Sequence, residues 1–293
     1  MKISSGRGFL DSAEARQITC GLTDELAELF ESNVVPLWQE VYDSLVARAE
    51  IEPKTRVLDF GSGTGEVTVR AGRITGPEGF VMGLDMSKEM VRISKEKARR
   101  LGVTNVGFTQ MSMEAMKLPD DSFDRALGNY SICCCFDYKA TLSEVFRVLK
   151  RNGKVTYNHN GPGEALEYQL MLKLLEKYRS NKPSAKLMAI REANALQDRA
   201  WSQYRDPLVT LALMRGVGFE DPEAIITQRR ARYKDAQQYL DRLLKLSWKP
   251  EADEMSAKGI AELSREALTL LAPFTKDSGL DIRDEMVFFA GRK

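Results

Sequence analysis

Histidine is almost missing from this 293-residue chain: His159 is the only one. Cysteine is scarce too, with Cys20 alone and Cys133, Cys134 and Cys135 side by side. Three adjacent cysteines make no disulfide framework, and no CxxC pair suggests a zinc ribbon. Free thiols fit a reducing compartment, so a cytoplasmic location is expected and no metal is. The first residues, MKISSGRGFLDSAEARQ, lack the apolar stretch of a signal peptide. No apolar run of about 18 residues occurs, which excludes a membrane-spanning helix. Neither sign of charge is in excess, with Lys plus Arg at 43, Asp plus Glu at 42 and a net charge of +1. Such a chain has no global field to attract a polyanion, and no basic block makes nucleic acid an expected partner. What remains is an ordinary globular composition, 43% hydrophobic and 29% charged. The length suits one large domain, or a core domain with an insertion.

The patterning then supplies order. Residues 1–22 are polar and weakly patterned, and read as a loose arm or short helix. Leu26, Leu29, Phe30, Val34, Leu37, Trp38, Val41 and Leu45 recur at helical spacing over 24–49, with a break near Pro36. Short apolar runs at 56–60, 79–85, 106–110, 123–128 and 154–158 read as strands. Helical stretches at 66–74, 87–101 and 138–149 alternate with them. Ser87 suits the N-cap of the second of these, and Gly153 a left-handed stop after the third. Strands alternating with helices of this length predict crossover units and a parallel, doubly wound α/β sheet. After Asn160 the rhythm changes. Residues 162–216 are helical in character, 224–228 return as a strand, 235–246 and 256–271 are helical, and 284–291 form a last strand. The expected organisation is an N-terminal helical cover over 1–50, a core over 51–161, a helical lid insertion over 162–222 and a C-terminal part of the core over 223–293.

The central signal is Val57-Leu58-Asp59-Phe60-Gly61-Ser62-Gly63-Thr64-Gly65. It follows a predicted strand and opens a helix, where glycines allow a sharp turn and close approach to a ligand. The spacing is GxGxG, and Glu66 stands where a dinucleotide loop has its third glycine. S-adenosylmethionine has no phosphate to bind. It needs room for an amino acid and a ribose, and it carries a sulfonium cation near which Asp59 would lie. Asp85, at the tip of the second strand, can accept both ribose hydroxyls, and Met86 can lie against an adenine face.

VLDFGSGTG, then GLDMS, then the LP of MKLPDDSFD, then EVFRVLKRNGKV together resemble the class I S-adenosylmethionine-dependent methyltransferase family, more closely its ubiquinone/menaquinone-type small-molecule branch. The resemblance covers about residues 24–160 and the last strand. It implies a mostly parallel seven-stranded Rossmann-like sheet whose last strand, 284–291, is antiparallel. It also implies that Asp59, Gly61, Ser62, Gly63 and Gly65 line the cofactor and that Asp85 holds its ribose, with S-adenosylhomocysteine as product. The family often has an Asp before the LP motif to bind adenine. Ser112 stands at that place here, so Ser112 and the backbone of Met113 take the adenine role.

Methyl transfer is an in-line displacement, and the protein's main task is alignment, which can supply about 7–11 kcal/mol of the barrier. The fourth strand ends in Gly128-Asn129-Tyr130, the place that faces the transferable methyl in the family. It lacks the paired prolines of base-amino methyltransferases, which points to a small-molecule acceptor. Tyr130 and His159 are the candidate catalytic residues, with His159 as a base at a strand tip and Asn129 beside the cofactor. Asn158 and Asn160 are further polar contacts. Cys133–Cys135 read as small buried residues, because consecutive side chains splay and cannot converge on one metalloid atom. The expected function is methyl transfer to a small apolar molecule. The alternatives are a non-catalytic adenosylmethionine-binding protein, an arsenite or thiol methyltransferase, an RNA methyltransferase, or a nicotinamide oxidoreductase, the last disfavoured by Glu66. A homodimer is left open.

Overall fold

A computed structural model describes residues 10–293. Asp11 opens helix α1 (Ser12–Asn33) with a capping box: its carboxylate accepts from the N–H groups of Ala13 and Glu14, and the Glu14 side chain accepts from Asp11 N–H. The arm expected over 1–22 is therefore helical from Ser12 onward, and its residues 1–9 lie outside the described residues. The short-helix alternative for this arm holds, and it runs without a break into the helix expected from 24; the polar composition hid that continuity, the helix's buried positions being only Ala15 and Ala27. A 3-10 turn at Val35–Leu37, with Pro36 inside it, separates α1 from α2 (Gln39–Arg48).

The expected alternation follows: β1 (Arg56–Phe60), α3 (Glu66–Thr75), β2 (Phe80–Asp85), α4 (Lys88–Arg100), β3 (Val106–Gln110), β4 (Phe123–Asn129) and α5 (Tyr138–Val148). Ser87 caps α4 as expected, its Oγ accepting from Met90 N–H at 3.1 Å. Strand β5 (Leu149–Asn160) starts earlier than the sequence suggested, and the left-handed residue is Asn152 at φ 63°, not Gly153. Helices α6 (Leu166–Tyr178), α7 (Ala185–Trp201) and α8 (Pro207–Val217) come next. Strand β6 (Glu220–Tyr233), helix α9 (Ala236–Arg242), a π-helical turn at Leu243–Ser247, α10 (Lys249–Ala252) and α11 (Ala257–Leu271) follow. A two-residue β7 (Thr275–Lys276) and the long β8 (Gly279–Arg292) end the chain.

The strands lie in the order β3-β2-β1-β4-β5-β8-β6, with β7 pairing β8. The sheet thus has eight strands where seven were expected, the extra one being the short β7. Strands β1 to β5 are mutually parallel, and β8 runs antiparallel to both β5 and β6. Leu58, Phe60, Val155 and Tyr157 pack with α5 and α8 on one face. Val57, Val81 and Leu127 pack with α2 and α3 on the other. Burial on both faces is what makes these central strands near-continuous apolar runs.

Strands β6 and β8 outrun the sheet. β8 pairs β5 only from Met286 to Arg292, while its Asp281–Glu285 stretch pairs β6 alone. That two-stranded ribbon would be marginal by itself. One face is covered by α6, α9 and α11 in a second core of Met171, Leu174, Tyr233, Leu240, Leu263 and Ile282. Among the described residues no helix is long and apolar enough to cross a membrane.

Candidate functional site

β1 ends at Phe60, and the chain turns through Gly61, Gly63 and Gly65 at φ of 70°, 52° and 86° before α3 begins. The outer two glycines are forced by space as well as by φ. A Cβ on Gly61 would lie 2.3 Å from Ser131 Cβ, and one on Gly65 would lie 2.9 Å from Ser94 Cβ. Gly63 differs, since a Cβ there would meet nothing within 4 Å, so its outer side faces open space. Ser62 N–H donates to the Leu84 carbonyl at 2.8 Å, tying the loop to β2.

Asp85 ends β2 and meets this loop. Gly63 N–H donates to its Oδ2 at 2.9 Å, and Ser87 N–H to its Oδ1 at 2.9 Å. Both oxygens keep a free lone pair for hydroxyl donors. Burial holds the Asp85 carboxyl above the usual range against these bonds. Ser62 Oγ, buried beside Asp85's partner Gly63, has no hydrogen-bond partner among the described residues. The junction of the loop with β2 therefore brings together a carboxylate, an unpaired hydroxyl and an unhindered glycine, a set that fits a ribose and an amino acid.

Asp59 sits beneath the loop. It is 1% exposed and accepts from Thr68 Oγ1 at 2.6 Å, which fixes the first turn of α3. Burial raises its carboxyl to about 7 from an ordinary 3.8, with Thr68's hydrogen bonds opposing and Asp85's charge adding. Met86 carries the cover: its carbonyl accepts from Gln110 Nε2 at 2.9 Å and from Cys20 Sγ on α1 at 3.3 Å. Asp24 of α1 accepts from Ser87 Oγ and Glu89 N–H. Lys97, 3% exposed, pairs with Glu31 of α1 at 2.8 Å and with Glu66 of α3. Helix α1 is thus clamped over the loop by polar contacts that its own pattern did not advertise. Ser112 Oγ accepts from Glu114 N–H at 3.2 Å, and Met113 packs against the main core. Glu114 also accepts from Phe136 N–H at 2.7 Å and pairs with Arg16, joining α1 to the segment after β4.

The tip of β4 is held from β5. Buried Asn158 donates through Nδ2 to Asn129 Oδ1 and accepts through Oδ1 from Tyr130 N–H, each at 2.9 Å. This lattice holds Tyr130 at φ 48°. The Tyr130 ring lies 4.5 Å from Trp38, and the Arg229 guanidinium sits 4.9 Å over Trp38 and 5.8 Å over Tyr130. Arg229 is paired with Asp284 across the ribbon. Tyr130 Oη and Trp38 Nε1 are buried without hydrogen-bond partners among the described residues. Burial raises the Tyr130 phenol far above its ordinary value.

His159 is elsewhere. Neighbouring strand residues face opposite sides, so His159 lies on the α5 face while Asn158 serves Tyr130 on the other. The structure does not bring His159 and Tyr130 together. His159 is fully buried among Tyr138, Tyr157, Trp201 and Phe289, with ring centroids 5.0 to 6.4 Å away. Its Nδ1–H donates to the Asn160 carbonyl at 2.8 Å, and Nε2 has no partner among the described residues. Burial lowers its pKa to about 4, so the ring is neutral at pH 7. The cysteines depart from the expected splayed, buried set: Cys133 and Cys134 both donate through Sγ to the Tyr130 carbonyl, at 3.2 and 3.8 Å, because the 3-10 turn brings both thiols back toward it, and Cys134 is exposed while only Cys135 is buried in the core. Gln197 of α7 donates to the Cys134 carbonyl at 2.6 Å, bringing the helical segment over this loop.

The Arg229–Asp284 pair and the Arg16–Glu114 tie escaped the sequence reading. Their partners stand 55 and 98 positions apart, and only the register of β6 against β8 would have shown the first.

A family model described as "Methyltransferase domain" matches residues 51–212. The ubiquinone/menaquinone biosynthesis C-methyltransferase UbiE of Pasteurella multocida is 38% identical over 101 residues, covering 34% of this chain and 38% of that protein. The chain spans about half or less of the length of the curated relatives it matches. Among solved structures, the phosphoethanolamine N-methyltransferase 2 of Haemonchus contortus in complex with S-adenosyl-L-methionine has a TM-score of 0.58 at 17% identity, covering 98% of this chain and 61% of that one. The [4+2]-cyclase SpnF has a TM-score of 0.56 at 20% identity, covering 94% and 95%. At these identities the two structures establish the shared fold.

Proposed function

The chain belongs to the methyltransferase-domain family, and from that premise we propose that it moves a methyl group from S-adenosylmethionine to a small, largely apolar molecule. One observation carries the reading: the Gly63 N–H of the loop donates to the Asp85 carboxylate at the tip of β2, at 2.9 Å. A loop of three left-handed glycines and a strand-end acid one strand away suit a nucleoside without phosphates. When bound, the cofactor supplies a methyl group already activated by a sulfonium. Asp85 holds the ribose hydroxyls, Ser62 Oγ gains the partner it lacks, and the open side of Gly63 admits the amino-acid part. Helix α1 closes this side through Asp24, Cys20 and the buried Lys97.

The acceptor lies beyond Tyr130. The Asn129–Asn158 lattice fixes that wall, and Trp38 and Tyr130 give it an aromatic surface with two unsatisfied donors. The Arg229–Asp284 pair behind them is neutral overall, so the wall suits a neutral oxygen-bearing molecule better than a dianion. Helix α7 packs on α1 and on the turn after β4, and its link through Gln197 to the Cys134 carbonyl supports a lid role for it. In this reading the protein aligns the reactants and Tyr130 contacts the acceptor. His159 remains a neutral hydrogen-bond acceptor on the far face, with a pKa too low for a base tuned to pH 7.

The test has two steps. Calorimetry should show saturable binding of S-adenosylmethionine and none of NADH. Incubation with the methyl-labelled cofactor and a small-molecule cell extract should put label in the low-mass fraction. Binding of NADH alone, or label confined to macromolecules, defeats the proposal.

A further inference from the structure

Away from the glycine loop, a cavity of ≈ 560 Å³ lies at the outer end of the β6–β8 ribbon. Arg230, Arg232, Lys276, Ser278, Asp281 and Arg283 line it, with Glu167 at its wall. Strand alternation explains the cluster. Ala231, Tyr233, Leu280 and Ile282 are buried in the second core, so their neighbours Arg230, Arg232, Asp281 and Arg283 all project from the opposite face. The buried face pins the ribbon, and the cations cannot turn away from one another.

The register makes this costly. Arg230 and Arg283 are direct cross-strand partners, and like charges placed opposite each other destabilise a sheet. Asp281 alone pairs with both, at 2.5 and 2.6 Å from Arg230 Nε and 3.1 Å from Arg283. Arg232 and Lys276 make no ion pair among the described residues. Four cations thus line the cavity, but among the described residues only Arg230 and Arg283 meet a carboxylate in ion-pairing contact, and the cavity has room for a further anion.

We propose that this cavity binds a phosphate group, with Arg232 and Lys276 as its principal ligands and Arg230 and Arg283 completing the shell. Guanidinium forks match phosphate oxygens in pairs, and Ser278 offers a hydroxyl donor. The phosphate belongs either to a free small molecule or to a lipid headgroup. This inference stands apart from the methyl-transfer reading, because none of its residues touches the glycine loop.

The full chain is titrated with inorganic phosphate by calorimetry at low ionic strength. It is also floated with vesicles of phosphatidylglycerol or of phosphatidylcholine. Saturable heat with phosphate supports a free phosphoryl ligand, and flotation with phosphatidylglycerol alone supports a headgroup. The double variant Arg232→Gln/Lys276→Gln should weaken either interaction at least tenfold and leave adenosylmethionine affinity unchanged. Asp281→Asn, which removes the competing carboxylate, should tighten it. The proposal falls if neither probe binds, if the double variant binds like the parent, or if Asp281→Asn weakens binding with an unaltered circular dichroism spectrum.

Discussion

The glycine loop and the β6–β8 ribbon do similar structural work by opposite means. In the loop, the chemistry is local: Asp59 to Asp85 lie within one strand–helix–strand unit, and each glycine has its own geometric reason. In the ribbon, Arg229 and Asp284 stand 55 positions apart and meet only through antiparallel register. Short-range constraints leave a motif in the sequence, whereas long-range ones leave only a residue type that looks misplaced. The two regions should accordingly break differently.

The largest effect is expected in the ribbon. Asp284→Ala leaves the Arg229 guanidinium in a site where it is 13% exposed with no counter-charge. Losing one partner of such a pair costs about 3–5 kcal/mol. Chemical denaturation should show this loss, and adding Arg229→Met should recover much of it. A loss in Asp284→Ala below about 1 kcal/mol would mean that the second core holds the ribbon without the pair.

In the loop, neighbouring glycines should separate folding from binding. Gly61→Ala combines φ of 70° with a Cβ 2.3 Å from Ser131 Cβ. Strain and overpacking together should cost about 2–4 kcal/mol in stability. Gly63→Ala meets no atom within 4 Å and should cost only about 1–2 kcal/mol in stability. It fills the space proposed for the ligand, however, so adenosylmethionine affinity should drop more than tenfold. Equal affinities for Gly63→Ala and the parent would move the ligand off this loop. Asp85→Asn comes next, with affinity lower by about 1.5–3 kcal/mol through weakened ribose bonds and the fold intact. Calorimetry of these variants decides both points.

This contrast also measures what the sequence revealed. The strands of the parallel core, the Ser87 cap and the placement of Gly63 beside Asp85 all followed from local pattern. So did the antiparallel last strand, though only by resemblance. Three things did not follow. The first half of helix α1 and its continuity with the predicted helix from 24 were hidden because that half makes polar contacts, through Arg16 and Asp24, and carries little apolar stripe. The lengths of β6 and β8 were underestimated because Arg229, Arg230 and Arg232 interrupt the apolar alternation. Their charge is tolerated because one side is paired with Asp284 and the other lies open. His159 and Tyr130 looked like companions because both end strands, but one position of strand register puts them on opposite faces.

That opposition gives the smallest expected effect, one that is nearly invisible until the two regions are separated. Asp59, in the loop region, is raised from 3.8 to about 7 by burial. Its folded form holds a proton that the unfolded chain has released, so on its account stability falls as pH rises from about 4 to 7. His159, under the helical segment, is lowered from 6.5 to about 4 by burial. Here the unfolded chain holds the extra proton, so on its account stability is lost as pH falls from 6.5 to 4. Between pH 4 and 6.5 one proton more and one proton fewer cancel, and the parent's stability should show almost no slope from this pair. Each single variant removes one side. Relative to the parent, Asp59→Asn should gain stability with rising pH across this window, by up to about 1.4 kcal/mol per unit. His159→Asn should lose stability with rising pH at a comparable rate. Thermal melts of the unliganded proteins at half-unit intervals would read both slopes. Slopes of the same sign in the two variants would show that one of these groups does not carry its burial cost in the folded state.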